Sequence, residues 1–244
     1  MGEKMKINHR LLQVLFVAGA IAPFSQFAQA NVFDQLSRED QEKITRGEQV
    51  SSFEVVPAEP GLDPEGNPFP APPWPKCRVY QRIHTTPEEA VAVFADYKLQ
   101  SRYVPGLQKS EISKVINKST VEVDYTYGLP MGFGTETYTV RDQVEFLKSS
   151  KSYRISWTFV RADTTKNTEG DAVFEPLNGE TLLAYYSFIV PNRWGSNLGW
   201  VIDEAKKSVK DAVTAIVNQV ETEKTEQPAL LKKQLEELRA IFST

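Results

Sequence analysis

The sequence predicts an α+β domain in which one face of an antiparallel sheet is covered by a long helix near the C-terminus. Three observations carry this. Two segments alternate with period two: Val121, Val123, Tyr125 and Tyr127 against Glu122, Asp124 and Thr126, and Tyr153, Ile155, Trp157 and Phe159 against Arg154, Ser156 and Thr158. That is the pattern of strands with one buried and one wetted face. Five or six such strands follow one another with no helix between them, so hairpins must join them in antiparallel order. An apolar sheet face needs cover, and residues 196–221 supply it. Leu198, Ile202, Ala205, Val209, Ala212, Val213, Ile216 and Val220 recur there at three- and four-residue steps.

The elements follow in order along the 244 residues. Lys4, Lys6 and Arg10 precede an apolar run from Leu11 to Ala22, and Ala28-Gln29-Ala30 places small side chains where a signal peptidase reads. A membrane anchor is the alternative, but the run is shorter than the ~20 apolar residues of a span. Residues 1–30 therefore read as a signal peptide cleaved near Ala30, leaving a secreted or periplasmic protein with no stable membrane anchor. Residues 31–56 form an extension: Ser37 caps a short helix that Gly47 stops, and Val50 to Val56 reads as a strand. Residues 57–75 hold eight prolines in nineteen positions and form a connector or strap, with a docking motif as the alternative.

The main domain spans residues 76–222. CRVYQRIH (77–84) is a strand, and Thr86-Pro87-Glu88-Glu89 carries the capping-box signature of a helix start. Ala90, Val93, Phe94 and Tyr97 share a helical face, and Pro105-Gly106 ends the helical region. Strands are expected at 111–116, 120–129, 134–146, 152–160, 170–177 and 181–190, with Asn178-Gly179 a strong hairpin turn. The long helix follows, and residues 223–244 form a last amphipathic helix with Leu231, Leu235, Leu238 and Phe242 along one side.

Composition excludes several function classes. The chain carries 28 basic and 32 acidic residues, and the leader holds three of the former and one of the latter, so the mature part is more acidic than the formal −4 of the whole. Nucleic-acid binding, where phosphate neutralisation dominates, is not expected. Cys77 is the single cysteine, so no internal disulfide can form, and it reads as a small buried hydrophobe rather than a nucleophile. His9 leaves with the leader, so His84 is the one imidazole of the mature chain. Multi-histidine metal sites are thereby removed, no cofactor or metal is expected, and His84 itself reads as a partly exposed structural residue. Glu136, Asp142 and Asp171 are candidate acids within strands, whereas Glu122 and Asp124 face solvent; no pair has a spacing that specifies chemistry.

The order of strand, helical segment, six antiparallel strands and long helix resembles the START-like superfamily, also called SRPBCC or helix-grip proteins. HTTPEEAVAVFADYKLQSRYVPGL (84–107) is similar to its opening helix pair, and GDAVFEPLNGETLLAYYSFIVPN (170–192) to its final hairpin. The lead-in from Leu36 to Lys43, with Gly47-Glu48, is similar to that of an exported subgroup. The resemblance implies a helix-grip fold, a strongly bent antiparallel sheet wrapped around the long C-terminal helix, here with an extra C-terminal helix. It also implies a cavity for a lipid, sterol, quinone or polyketide. Tyr125, Tyr127, Tyr138, Ile155, Trp157, Phe159 and Tyr185 would line it from the sheet, and Ile202, Ala205 and Val209 from the helix. A filled core made of the same residues is the alternative. Gly128, Leu129, Met131, Gly132 and Phe133 would form a lip at the cavity mouth, or a hairpin packed on the tail helix.

The leading function is thus an exported protein holding a hydrophobic small molecule. An enzyme of the cyclase or hydrolase type and a protein-interaction module are the alternatives; no catalytic residue is assigned, and no protein partner is identified. Export places an apolar ligand outside the cytoplasm, which favours a carrier or sensor over a polyketide cyclase.

Overall fold

Two short helices open the chain, α1 (Val32–Gln35) and α2 (Arg38–Thr45), followed by strand β1 (Val50–Val56). The computed structural model describes residues 31–56, 61–62, 68–69, 74–128, 134–191 and 199–243. The expected signal peptide and four of the five lip residues, Leu129, Met131, Gly132 and Phe133, lie outside these. Gly128 closes a strand. Within the proline-rich stretch, β2 (Gly61–Leu62) pairs with β3 (Pro68–Phe69). This short ladder was not expected, and it forms where Gly61, Leu62 and Phe69 still have N–H groups to donate.

The remaining elements are β4 (Trp74–Ile83), α3 (Pro87–Phe94), α4 (Tyr97–Tyr103), β5 (Leu107–Asn117), β6 (Thr120–Gly128), β7 (Thr135–Leu147), β8 (Ser152–Ala162), β9 (Thr165–Leu177), β10 (Glu180–Pro191), α5 (Gly199–Glu226) and α6 (Pro228–Phe242). Eight strands make one sheet in the order β1-β4-β10-β9-β8-β7-β6-β5, every neighbouring pair antiparallel. This open, strongly curved sheet with a long helix against its concave face is the helix-grip α+β fold that the sequence predicts.

Local chemistry sets the boundaries. Thr86 Oγ1 accepts from the Glu89 amide at 3.3 Å while the Thr86 amide donates to Glu89 at 2.9 Å, closing the capping box at the start of α3. Burial pushes the Glu89 carboxyl up, but hydrogen bonds from Thr86, Thr85 and Lys224 overcome this and hold it down at about 2. Asn178 and Gly179 both take positive φ, 50° and 85°, as a two-residue hairpin turn requires. The turn at Gly106 (φ 79°) lies so close to the Tyr127 ring that a Cβ there would sit 2.8 Å from it, and the Tyr127 hydroxyl donates to Pro105 O at 2.7 Å.

Two apolar clusters flank the sheet. The larger lies on the concave side and joins Val79, Ile83, Val93, Ile155, Phe174 and Leu183 to Val213, Ile216, Val217 and Val220 of α5. Leu231 and Leu238 of α6 belong to it, so the apolar stripe of the terminal helix docks on its own domain; Phe242 at its end stays 39% exposed. The smaller cluster, on the convex side, joins Val32, Ile44 and Val50 to Leu177 and Leu182. Glu175 anchors it by accepting from the Val32 amide at 2.8 Å and from that of Phe33 at 3.3 Å. The extension therefore contributes an edge strand and a second small core.

The long helix read from residues 196–221 runs Gly199–Glu226. Its end is set where Pro228 begins α6 at the first helical turn, because proline needs no N–H there.

Candidate functional site

The two halves of α5 do different things. From Val213 to Glu223 its inward residues are buried against α3 and the sheet. From Val201 to Ala212 the helix stands off the sheet, and a cavity of about 660 Å³ separates them. From α5 the wall is formed mainly by Val201, Glu204, Ala205, Ser208, Val209 and Ala212, with Trp200 and Ile216 at its two ends. These fall on one stripe at three- and four-residue steps.

The sheet contributes through strict alternation. On β6, Tyr125 and Tyr127 point inward; on β7, Glu136, Tyr138, Val140 and Asp142; on β8, Trp157; on β10, Tyr185, Ser187 and Ile189. Trp157 and Tyr185 pack with tilted rings, centroids 5.3 Å apart, and Tyr125 and Tyr138 likewise with centroids 5.5 Å apart. Gly170 makes room for the indole: a Cβ at that position would lie 2.3 Å from Trp157 Cζ2 and 2.2 Å from Tyr186 O. The Tyr125 hydroxyl donates to Gln100 Oε1 at 3.0 Å, and Gln100 Nε2 donates to Phe94 O at 2.9 Å, which ties the wall to α3 and α4.

Of the expected pocket residues, Tyr125, Tyr127, Tyr138, Trp157, Tyr185, Ala205 and Val209 lie together on the wall. Ile155, Phe159 and Ile202 do not. Ile155 faces the same side as Trp157 but sits two residues along, in the filled core. Phe159 shares the face of Trp157 and pairs with the inward Val140, but it is only half-buried and is not on the cavity wall; the bulge that inserts Val160 resets the alternation only after it, from Arg161. Ile202 lies beside the helical stripe through Val201 and Ala205. Trp74, Cys77, Phe94, Gln100, Thr164 and Trp200 also line the cavity and were not anticipated. Trp74 was hidden in the proline-rich stretch, where β4 in fact begins.

The acids separate into two environments. Asp171 lies on the convex face and pairs with Arg154 at 2.8 Å. Glu122 pairs with Arg141 at 2.7 Å and Asp124 with Arg161 at 3.3 Å, also on that face. Both acids were expected to face solvent; Glu122 is buried, because Arg141 from the next strand lies over it. Glu136 and Asp142, in contrast, are buried on the concave side. Burial raises Glu136, but the Thr164 and Thr165 amides at 3.0 and 2.8 Å and the Thr164 hydroxyl outweigh it, and its pKa is lowered. Asp142 is 2% exposed, its Oδ2 has no hydrogen-bond partner among the described residues, and burial pushes its carboxyl up to about 8. Its place was readable in principle, since it shares parity on β7 with Tyr138, Val140 and Val144.

Cys77 is buried on the wall, and desolvation raises its thiol to about 11, so it is a poor nucleophile at neutral pH. His84 lies at the surface with Nδ1 2.8 Å from Glu180. Among the described residues, no cluster of three His, Cys, Asp or Glu side chains could hold a metal ion, and no helix is long and apolar enough to cross a membrane.

No protein-family model matches the sequence, and no curated protein matches it. Solved structures do. A STAR-related lipid transfer protein from Xanthomonas axonopodis is similar with a TM-score of 0.55 at 12% identity, over 69% of this chain and 98% of that one. Human StAR-related lipid transfer protein 5 gives 0.54 at 14% identity, over 82% and 99%. Human STARD10 gives 0.51 at 11% identity, over 82% and 89%. With the sheet order and the gripped helix, these similarities establish that the chain has the START-like, SRPBCC fold.

Proposed function

We propose that this protein binds one hydrophobic small molecule in the space between the sheet and the first half of α5, and carries or stores it outside the cytoplasm. The observation that supports this most is the cavity itself. About 660 Å³ of space lies where a filled core would need side chains, and its walls are mainly aromatic and aliphatic. A volume of this order encloses a small organic ligand, and apolar walls with a few polar groups suit one. The similar solved structures include proteins described as lipid transfer proteins, which points the same way. The export half of the proposal rests on the leader pattern of residues 1–30.

The test uses delipidated mature protein and Nile red, an uncharged dye that brightens in apolar surroundings. One dye per chain is expected to bind, and Ala212→Phe, which fills the space from α5, is expected to abolish binding while leaving the circular dichroism spectrum unchanged. Binding that Ala212→Phe does not alter would place the dye elsewhere and overturn the reading.

An enzymatic role draws support from one observation, the buried carboxyl of Asp142 beside the cavity, since perturbed acids gather at active sites. Glu136, the other inward acid of the sheet, does not join it as a proton donor, because its hydrogen bonds favour the charged form. A bound molecule recovered chemically unchanged after prolonged incubation favours the binding role; turnover of that molecule, lost in Asp142→Asn, would replace it with the enzymatic one.

A further inference from the structure

The ionisable side chains of the described cavity wall are three acids (Glu136, Asp142 and Glu204), four tyrosines and the Cys77 thiol; no Lys, Arg or His stands among them. An anionic head group drawn into this space would meet no cation on the described wall, and burying an unpaired charge is costly. Glu136 is already held by Thr164 and Thr165. Asp142 is different: it is almost completely buried on the wall, and its Oδ2 has no partner among the described residues. The ionisable groups acting on it from α4, β6, β7 and β10 are all tyrosines, Tyr97, Tyr125, Tyr138 and Tyr185, each raised by burial and therefore neutral.

Burial likewise keeps the Asp142 carboxyl protonated at neutral pH. A protonated carboxyl offers one O–H donor together with acceptor capacity. An alcohol offers the same pair, so the two complement each other in both directions. A carboxylate ligand would add a charge without a partner, and a purely apolar ligand would leave the aspartic acid unsatisfied.

Resting on the reading that the cavity holds a ligand, we propose that this ligand is an uncharged amphiphile bearing a hydroxyl group, and that the hydroxyl hydrogen-bonds to Asp142. The apolar body would then lie against Tyr125, Tyr138, Val140 and Trp157 on the sheet and Val209 on α5.

The test is displacement of Nile red from the delipidated mature protein at pH 7 by four C12 probes: 1-dodecanol, 1-chlorododecane, dodecanoate and dodecylammonium. Dodecanol is expected to compete best, about fivefold to tenfold better than the chloride, which is what one net hydrogen bond supplies. Asp142→Val is expected to erase that advantage, read as the ratio of alcohol to chloride displacement within the variant itself, and Asp142→Asn, which keeps a donor and an acceptor, is expected to retain it. Equal affinity for alcohol and chloride, or an advantage that survives in Asp142→Val, overturns the hydroxyl contact and leaves the cavity reading standing. Tightest binding of dodecanoate or dodecylammonium overturns the uncharged class. Failure of Nile red to bind the unsubstituted protein would instead sink the cavity reading itself.

Discussion

Asp142 concentrates the tension in this molecule, because a carboxyl with a buried oxygen that has no partner among the described residues costs stability whenever it must ionise. The sign follows from its raised pKa. Between the ordinary aspartate value near 4 and the folded value of about 8, the native state keeps a proton that the unfolded chain releases. Stability from this group is therefore highest below about pH 4 and falls as pH rises to about 8. Asp142→Asn removes the titration. Denaturant midpoints across this range are expected to show the variant gaining on the unsubstituted protein by on the order of 4 kcal/mol from pH 4 to pH 8; parallel curves would mean that Asp142 is solvated. Gly170 makes a second expectation at this scale. Gly170→Ala puts a methyl into both Trp157 and the Tyr186 carbonyl, and overpacking of this kind costs about 1–3 kcal/mol. Denaturation should show that loss together with a shifted tryptophan emission, whereas unchanged stability and emission would mean that the indole is free to move aside.

Helix ends and hairpin turns were the elements most readable from sequence. Their signals are local: Thr86 and Glu89 three positions apart in one box, or Asn178-Gly179 at positive φ. Thr86→Ala should cost about 1 kcal/mol in urea melts; no change would mean that the cap is dispensable. Breaks caused by tertiary packing were harder to see. The single apolar face of Ala90, Val93, Phe94 and Tyr97 is divided between α3 and α4 at Ala95 and Asp96, yet all four residues are buried. The bulge at Val160 likewise has no local signature, and it shifts the alternation of β8 from Arg161 onward. The terminal helix is held by Leu231 and Leu238 and by a two-pronged ion pair, Arg239 to Glu88, with both contacts at 2.8 Å. Leu238→Ala is expected to destabilise the whole domain by about 2–5 kcal/mol. A thermal melt in which α6 alone frays, with the main transition unmoved, would show that the helix is an appendage.

At the scale of the whole molecule, period and order were enough to predict an antiparallel sheet covered by a long helix, the resemblance to helix-grip proteins added the strong bend, and the structure has that form. The same apolar pattern on α5, however, serves a filled core from Val213 onward and an open space before it. Hydrophobic spacing cannot tell these apart, because both demand the same residues on the same face. What distinguishes them is the distance at which the helix is held from the strands, and that is set by contacts far apart in sequence. The inward aromatics were therefore readable, while the cavity's extent, the contribution of Trp74 and Gln100, and the isolation of Asp142 were not. The central claim is that this space is occupied in the working protein. Native mass spectrometry of the protein taken from the cells that produce it tests it most directly. The account predicts one noncovalent organic adduct per chain, released on unfolding and absent from Ala212→Phe; a bare chain that also takes up no apolar molecule after purification would contradict it.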